Sequence, residues 1–360
     1  MSKTRYTESM RKLIFYTGLH FLIDLACIYF LTGMMIPGSA GHEQWLLLAV
    51  FYNLLAFAWP AVWGIMDDLI KKDNLLIILG FVLILMGYLC YRMPYIAILF
   101  LGTGNGWFHI GAGRQILIES DSKYFPSGVF ISSGALGVYL GSCWGRAYIP
   151  LHKIFLIVLG IVIIFLWITE RLQIKFLQQT DFYQPESTQT TFGNMRKKTF
   201  PFVLLFLVVF IRSYYGMILN YPWKTDFLIG LLFALCIMGG KMTGGFLADW
   251  AGIERSVILS LNAAAILAFF SWKSPICGCL SVFFFNMTMP LTLMRMFMLF
   301  LRTPGFAFGI LMFALFLGTL PTMVWNKNWM FTPAGLALLC VSSMILLLWE
   351  IKVNGWRNLK

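Results

Sequence analysis

Gly245-Phe246-Leu247-Ala248-Asp249-Trp250-Ala251-Gly252-Ile253-Glu254-Arg255 joins two apolar stretches in the second half of the chain. A degraded copy, Gly64-Ile65-Met66-Asp67-Asp68-Leu69-Ile70-Lys71-Lys72, stands at the corresponding place in the first half. Both keep a Gly, an Asp four residues later and a basic residue beyond it. A helix-end signal repeated half a chain apart, in a chain this apolar, marks two similar bundles of membrane helices.

Composition sets the class. Hydrophobic residues make up 59% and charged residues 12%, against roughly 25% charged in a soluble domain. Apolar runs of about twenty residues match the ~30 Å of a bilayer core; a β-barrel would alternate in short segments. Twelve spans are expected, near 13–35, 44–66, 74–92, 94–118, 126–148, 152–171, 199–220, 226–248, 255–272, 275–300, 304–325 and 333–352. The long polar stretch, 172–198, ends in Arg196-Lys197-Lys198, a basic anchor at the headgroups. The expected fold is therefore an all-α membrane protein. Twelve transmembrane helices form two pseudo-symmetric six-helix bundles, 1–171 and 199–360, joined by a cytoplasmic linker, 172–198.

The net charge of +12 falls mostly in loops on the side of the N-terminus. That is the positive-inside bias, not a nucleic-acid footprint. It places both termini in the cytoplasm and the chain, multi-pass, in an inner or plasma membrane. The first span follows Lys3, Arg5, Arg11 and Lys12 but is too long for a cleaved signal and lacks a small-residue site after it. The seven cysteines lie in or beside apolar spans; Cys277-Gly278-Cys279 lacks a second ligand pair, so all seven read as packing residues.

An ionisable side chain at the centre of a span costs about 2.5–3.5 kcal/mol on insertion scales, so ionisable residues there, and the polar ones beside them, carry information. They are His20 and Asp24 in the first span, Asn105, His109 and Arg114 in the fourth, Arg212 in the seventh, Lys241 in the eighth, and Asn286, Thr288 and Arg295 in the tenth. Spans one, four, seven and ten each open a three-helix unit. Four such helices can line one space, so a polar midplane cavity walled by Asp24, His109, Arg212 and Asn286 is expected. Arg114 and Arg295 sit near span ends, where their stems can carry the charge to the headgroups. Lys241, one turn before Gly245, has an acid or a carbonyl at the helix end as its expected partner. His20 and His109 read equally as helix–helix hydrogen bonders and as cavity groups. Asp24 and Arg212 lie too deep to snorkel and read as functional groups or as an ion pair fixing the halves together. A carboxyl removed from water exchanges its proton nearer neutral pH, which suits Asp24 to proton transfer; Arg212 stays charged. Gly137, Gly141 and Gly145 share a face of the fifth span, for close packing or for sliding.

On these residues the chain resembles the major facilitator superfamily over nearly its full length. The loops after spans two and eight look like its G-x-x-x-D-x-x-G-[RK]-[RK] signature, with Lys71 in place of the second Gly in the first copy. His20-Phe21-Leu22-Ile23-Asp24 and Gly102-Thr103-Gly104-Asn105-Gly106-Trp107-Phe108-His109 look like the branch of fosmidomycin-resistance-type exporters, with Ile110 where that branch has Pro. The resemblance implies two bundles rocking about a central site, with antiporter-type proton coupling. It also implies gating by Gly64, Asp68, Gly245, Asp249 and Arg255. Each signature Asp is expected to meet a helix N-terminus of the other half, where about half a positive charge resides. Asp68 is matched with the region near Gly305, and Asp249 with Ser127 and Gly128.

The expected activity is secondary active transport of a small organic solute by alternating access. Asp24 serves as the proton or substrate-amine partner and Arg212 binds an anionic group. His20, Asn105, His109 and Asn286 orient the substrate. A sensor or partner-binding protein on the same fold is the alternative. Catalysis is not expected, because His20, His42, His109, His152 and the scattered acids suggest no nucleophile–base set or metal cluster. The expected partners are a small-molecule substrate, protons and membrane lipid, with no cofactor, metal or nucleic acid. One chain holds both halves, so a monomer suffices.

Overall fold

The computed structural model describes residues 3–35, 42–172, 193–324 and 330–355. These are helical almost throughout, with no strand among them. Helix α1 is Lys3–Phe30 and ends in a π-helical turn, Leu31–Met35. Helix α2 runs in three parts, His42–Asn53, Leu54–Ala58 and Pro60–Ile70. Then come α3 Asp73–Leu89, α4 Pro94–Glu119, α5 Tyr124–Arg146 and α6 His152–Arg171. The second half holds α7 Gly193–Ile218, α8 Phe227–Ala251, α9 Ile253–Phe270, α10 in two parts (Pro275–Asn286 and Thr288–Leu299), α11 Pro304–Val324 and α12 Pro333–Gly355. Most of the expected linker, together with Arg357 and Lys360, lies outside the described residues. Residues 193–198 of that stretch form the first turns of α7 instead.

Among the described residues, nine helices are long and apolar enough to cross a membrane, and α3 is apolar but shorter. Helices α4 and α5 are long but less apolar, and packing explains why. From Gly104 to Leu117 nearly every residue of α4 is buried, so its Asn, His, Arg and Gln face protein rather than lipid. By contrast, Ile154, Ile157, Ile161 and Ile164 form an exposed stripe on α6, a surface suited to acyl chains.

Prolines account for two breaks. Pro60 lacks the N–H that would bond back one turn, and just before it Trp59 N bonds to Leu54 O over five residues, a π-type step. Pro290 likewise follows the interruption of α10 at Met287.

The halves meet along α2 against α11 and along α5 against α8. Glycines make both seams. A Cβ on Gly64 would lie 2.2 Å from Gly305 O, on Gly309 2.3 Å from Pro60 O, on Gly128 2.6 Å from Lys241 O, and on Gly245 2.7 Å from Tyr124 O. Without a Cβ the backbones touch directly. Gly137 and Gly141 instead press α5 onto α1, where a Cβ would lie 2.5 Å from Phe21 O and 2.6 Å from Leu25 O. Those glycines are used for packing inside the first half.

Candidate functional site

Residues four apart stack on one helix face, so α1 presents His20 with Asp24 and α4 presents Asn105 with His109. The two faces meet. His20 Nε2 lies 3.2 Å from Asp24 Oδ2 and 2.9 Å from His109 Nε2. His109 Nε2 lies 3.9 Å from Asp24 Oδ1, to which Asn105 Nδ2 donates at 3.3 Å. All four residues are buried. Gly134 of α5 makes the room, since a Cβ there would sit 2.4 Å from Asp24 Oδ2.

Counting donors shows what this cluster requires. His20 Nδ1 is 2.8 Å from Phe130 O, and His109 Nδ1 is 2.9 Å from Asn105 O. A carbonyl oxygen only accepts, so both Nδ1 atoms carry hydrogen. Two neutral rings would then point bare Nε2 lone pairs at each other and at the carboxylate. The ligating atoms of the three residues all lie within 4.8 Å of one another, and three acceptors this close repel. A single proton on His20 Nε2 relieves this by bonding toward both His109 and Asp24; the spacing also admits a small metal ion.

Arg212 does not join that cluster. On α7 it donates Nη1 to Thr292 Oγ1 at 3.1 Å and Nη2 to Thr288 Oγ1 at 3.0 Å, both on α10. Its Nε is buried without a partner. Beside it lies a cavity of about 40 Å³, lined by Arg212, Thr292, Phe308, Met312 and, from the first half, Ile131. Lys241 of α8 crosses between halves and donates to Ile131 O at 3.0 Å. Its partner is thus a carbonyl in the opposite half.

At one end of the bundles each signature Asp caps a helix of the other half. Asp68 Oδ1 and Oδ2 accept from Gly305 N and Phe306 N, each at 2.8 Å. Asp249 Oδ1 and Oδ2 accept from Tyr124 N and Phe125 N, each at 2.9 Å. The second contact falls three residues before the expected Ser127 and Gly128, because α5 begins at Tyr124 and the free N–H groups are those of its first turn. Arg114 donates to Asp68 at 3.1 Å and to both oxygens of Asp73 at 2.8 Å. It is buried and ion-paired rather than snorkelling. Arg295 is half-buried and likewise ion-paired, donating to both oxygens of the fully buried Glu350 at 2.9 Å.

Two candidates fall elsewhere. Asn286 donates to Val282 O of its own helix, occupying the amide one turn back. Arg255 is exposed at the start of α9 and takes no part in either cap. Sequence reasoning missed Asp73 in the gate, the pairing of Thr288 and Thr292 with Arg212, and Lys241 as a link between halves. The four-residue spacing of Thr288 and Thr292 was the available signal.

The fold is shared with solved transporter structures. A structure of FucP, a major facilitator superfamily transporter, in the outward conformation superposes with a TM-score of 0.63 at 14% identity, covering 94% of this chain and 99% of that one. The E. coli fucose:proton symporter FucP gives 0.68 at 14% identity over 95% and 99%. The human organic anion transporter MFSD10 (TETRAN) gives 0.61 at 12% identity over 95% and 99%. No family profile matches the sequence, and no curated protein matches it. At these identities the likeness carries the fold, which is that of the major facilitator transporters; the fosmidomycin-resistance branch receives no support from it.

Proposed function

We propose that this chain is a proton-coupled secondary transporter that moves a small organic solute by alternating access. In this reading all twelve helices span a cytoplasmic membrane as two six-helix bundles, 1–171 and 199–360, with both termini in the cytoplasm. The chain works as a monomer. Asp24, His20 and His109 hold the coupling proton, with Asn105 orienting the carboxylate. Asp68 and Asp249 latch the cytoplasmic end, aided by the close approach at Gly64 and Gly245.

The observation that carries the reading is the buried imidazole–imidazole–carboxylate cluster. Its Nε2 atoms, 2.9 Å apart, call for a proton between groups that water scarcely reaches. A permanent structural site would be cheaper as a neutral pair. The caps at Gly305 and Tyr124 add support, because they tie the halves at one end through exchangeable hydrogen bonds.

The test is the protein in liposomes loaded with a pH-sensitive dye, challenged with pools of anions, amines and sugars. A pool should move protons with wild type and not with Asp24→Asn, while Asp24→Asn still folds. Normal coupled transport by that variant rejects the proton role. No solute movement from folded wild type favours the sensor reading.

A further inference from the structure

Among the described residues, two buried cations form no ion pair with an acid. Arg212 is 6% exposed and Lys241 8%; among the described residues Arg212 is held by two threonine hydroxyls and Lys241 by one carbonyl. Other buried or half-buried cations are matched: Lys12 with Glu119, Arg114 with Asp68 and Asp73, and Arg295 with Glu350. Burying an unmatched charge is costly, and the contrast lies within one molecule. Both border one residue of the first half: Lys241 bonds the Ile131 carbonyl, and Ile131 lines the cavity beside Arg212.

We propose that Arg212 and Lys241 together bind a small organic dianion between the halves, which supplies the two missing negative charges. The proposal rests on the transport reading above and names its substrate class. The hydroxyl cradle of Arg212 already opens on the 40 Å³ cavity. That volume suits a water or two, so the solute enters when the halves part. Ile131, which bounds this cavity from α5, is also the residue whose carbonyl holds Lys241. That carbonyl lies inside α5, where the helix supplies its own N–H, so releasing the ammonium leaves no orphaned acceptor. A carboxylate is the stronger partner for an ammonium and would draw Lys241 off the seam.

The charges also set the coupling. The imidazole–carboxylate cluster of His20, Asp24 and His109 lies beside Lys241, since His20 takes the carbonyl of Phe130 and Lys241 that of the next residue, Ile131, which also lines the cavity of Arg212. When the imidazole pair holds its proton, Asp24 is matched and both cations are left for the solute. When the proton leaves, the charge of Asp24 cancels part of their attraction. The dianion therefore binds the protonated protein better, and by linkage the proton binds the loaded protein better. Mutual support of this kind is the signature of co-transport, not of exchange.

The purified full chain should be melted with succinate, phthalate and glycerol phosphate, using butyrate, putrescine and glucose as charge controls. At least one dianion should raise the Tm at pH 6, with affinity at least tenfold weaker in Arg212→Gln and in Lys241→Gln. Lys241→Met without added anion should melt no lower than wild type, since an unmatched charge is gone. The proposal is overturned if no dianion shifts wild type, if the shift survives both substitutions, or if Lys241→Met alone lowers the Tm. In proteoliposomes, proton movement driven only by neutral or cationic solutes removes the dianion yet keeps the transporter; failure of every solute class removes the transport reading itself.

Discussion

Gly64→Ala probes the seam between α2 and α11. The added carbon would lie 2.2 Å from Gly305 O and 2.5 Å from Gly305 C. Both are backbone atoms at the start of α11, so no rotamer change relieves the clash. Reaching the 3.4 Å of ordinary contact requires the helices to part by about 1.2 Å. That stretches the 2.8 Å bonds from Gly305 N and Phe306 N to Asp68 to about 4 Å, past hydrogen-bonding range. Bonds to a charged acceptor contribute roughly 1.5–3 kcal/mol each. Part of this returns, because Asp68 keeps Arg114 and gains water. A net shift of about 2–3 kcal/mol toward the parted state follows, or roughly 30- to 150-fold in population. Gly245→Ala, with its nearest atom at 2.7 Å, should shift the equilibrium less. Gly160→Ala, with nothing within 4 Å, should shift nothing. Spin labels at Leu69 and Leu301, both exposed, on a variant lacking native cysteines would read the separation by double electron–electron resonance. A Gly64→Ala distance distribution that overlays wild type, or an equal shift from Gly160→Ala, would refute the reasoning.

The caps are not equivalent. Asp68→Asn should loosen the same end more than Asp249→Asn, because Asp68 also holds Arg114; the same labels measure both. Arg295→Met strands the buried Glu350 and should cost about 3–5 kcal/mol, and Arg295→Met with Glu350→Leu should recover most of it. Additive losses in thermal unfolding would show that the pair is not coupled. His109→Leu takes away one of the two Nε2 atoms that share the proton, so solute-driven proton uptake should fall while the α2–α11 distance distribution stays unchanged. Full uptake by that variant would assign the proton to His20 and Asp24 alone.

Much of the N-terminal cluster was legible because it is built from local spacing. His20 and Asp24 share a face by being four residues apart, and so do Asn105 and His109; only the meeting of the two faces was hidden. Asn286 illustrates the opposite case. It sits on a central helix, yet its amide turns back to Val282 O, a rotamer choice that no periodicity encodes. Arg114 and Arg295 looked like headgroup anchors, since their depth along a helix is readable and their partners on α3 and α12 are not.

The sequence by itself determined that the chain is built of apolar helices, roughly where they lie, and which polar groups they carry. Hydropathy, proline breaks and the paired Gly-x-x-x-Asp loops are properties of neighbouring residues. Tertiary structure alone decided that Arg114 meets Asp73 across 41 residues, that Lys241 takes the carbonyl of Ile131 across 110, and that Arg212, among the described residues, forms no ion pair with an acid. A residue's place in the sequence sets its angle about its own helix axis. Where that axis lies against another is settled by packing over the whole bundle, in which glycines such as Gly64 and Gly134 open the few places where backbones and charges can touch.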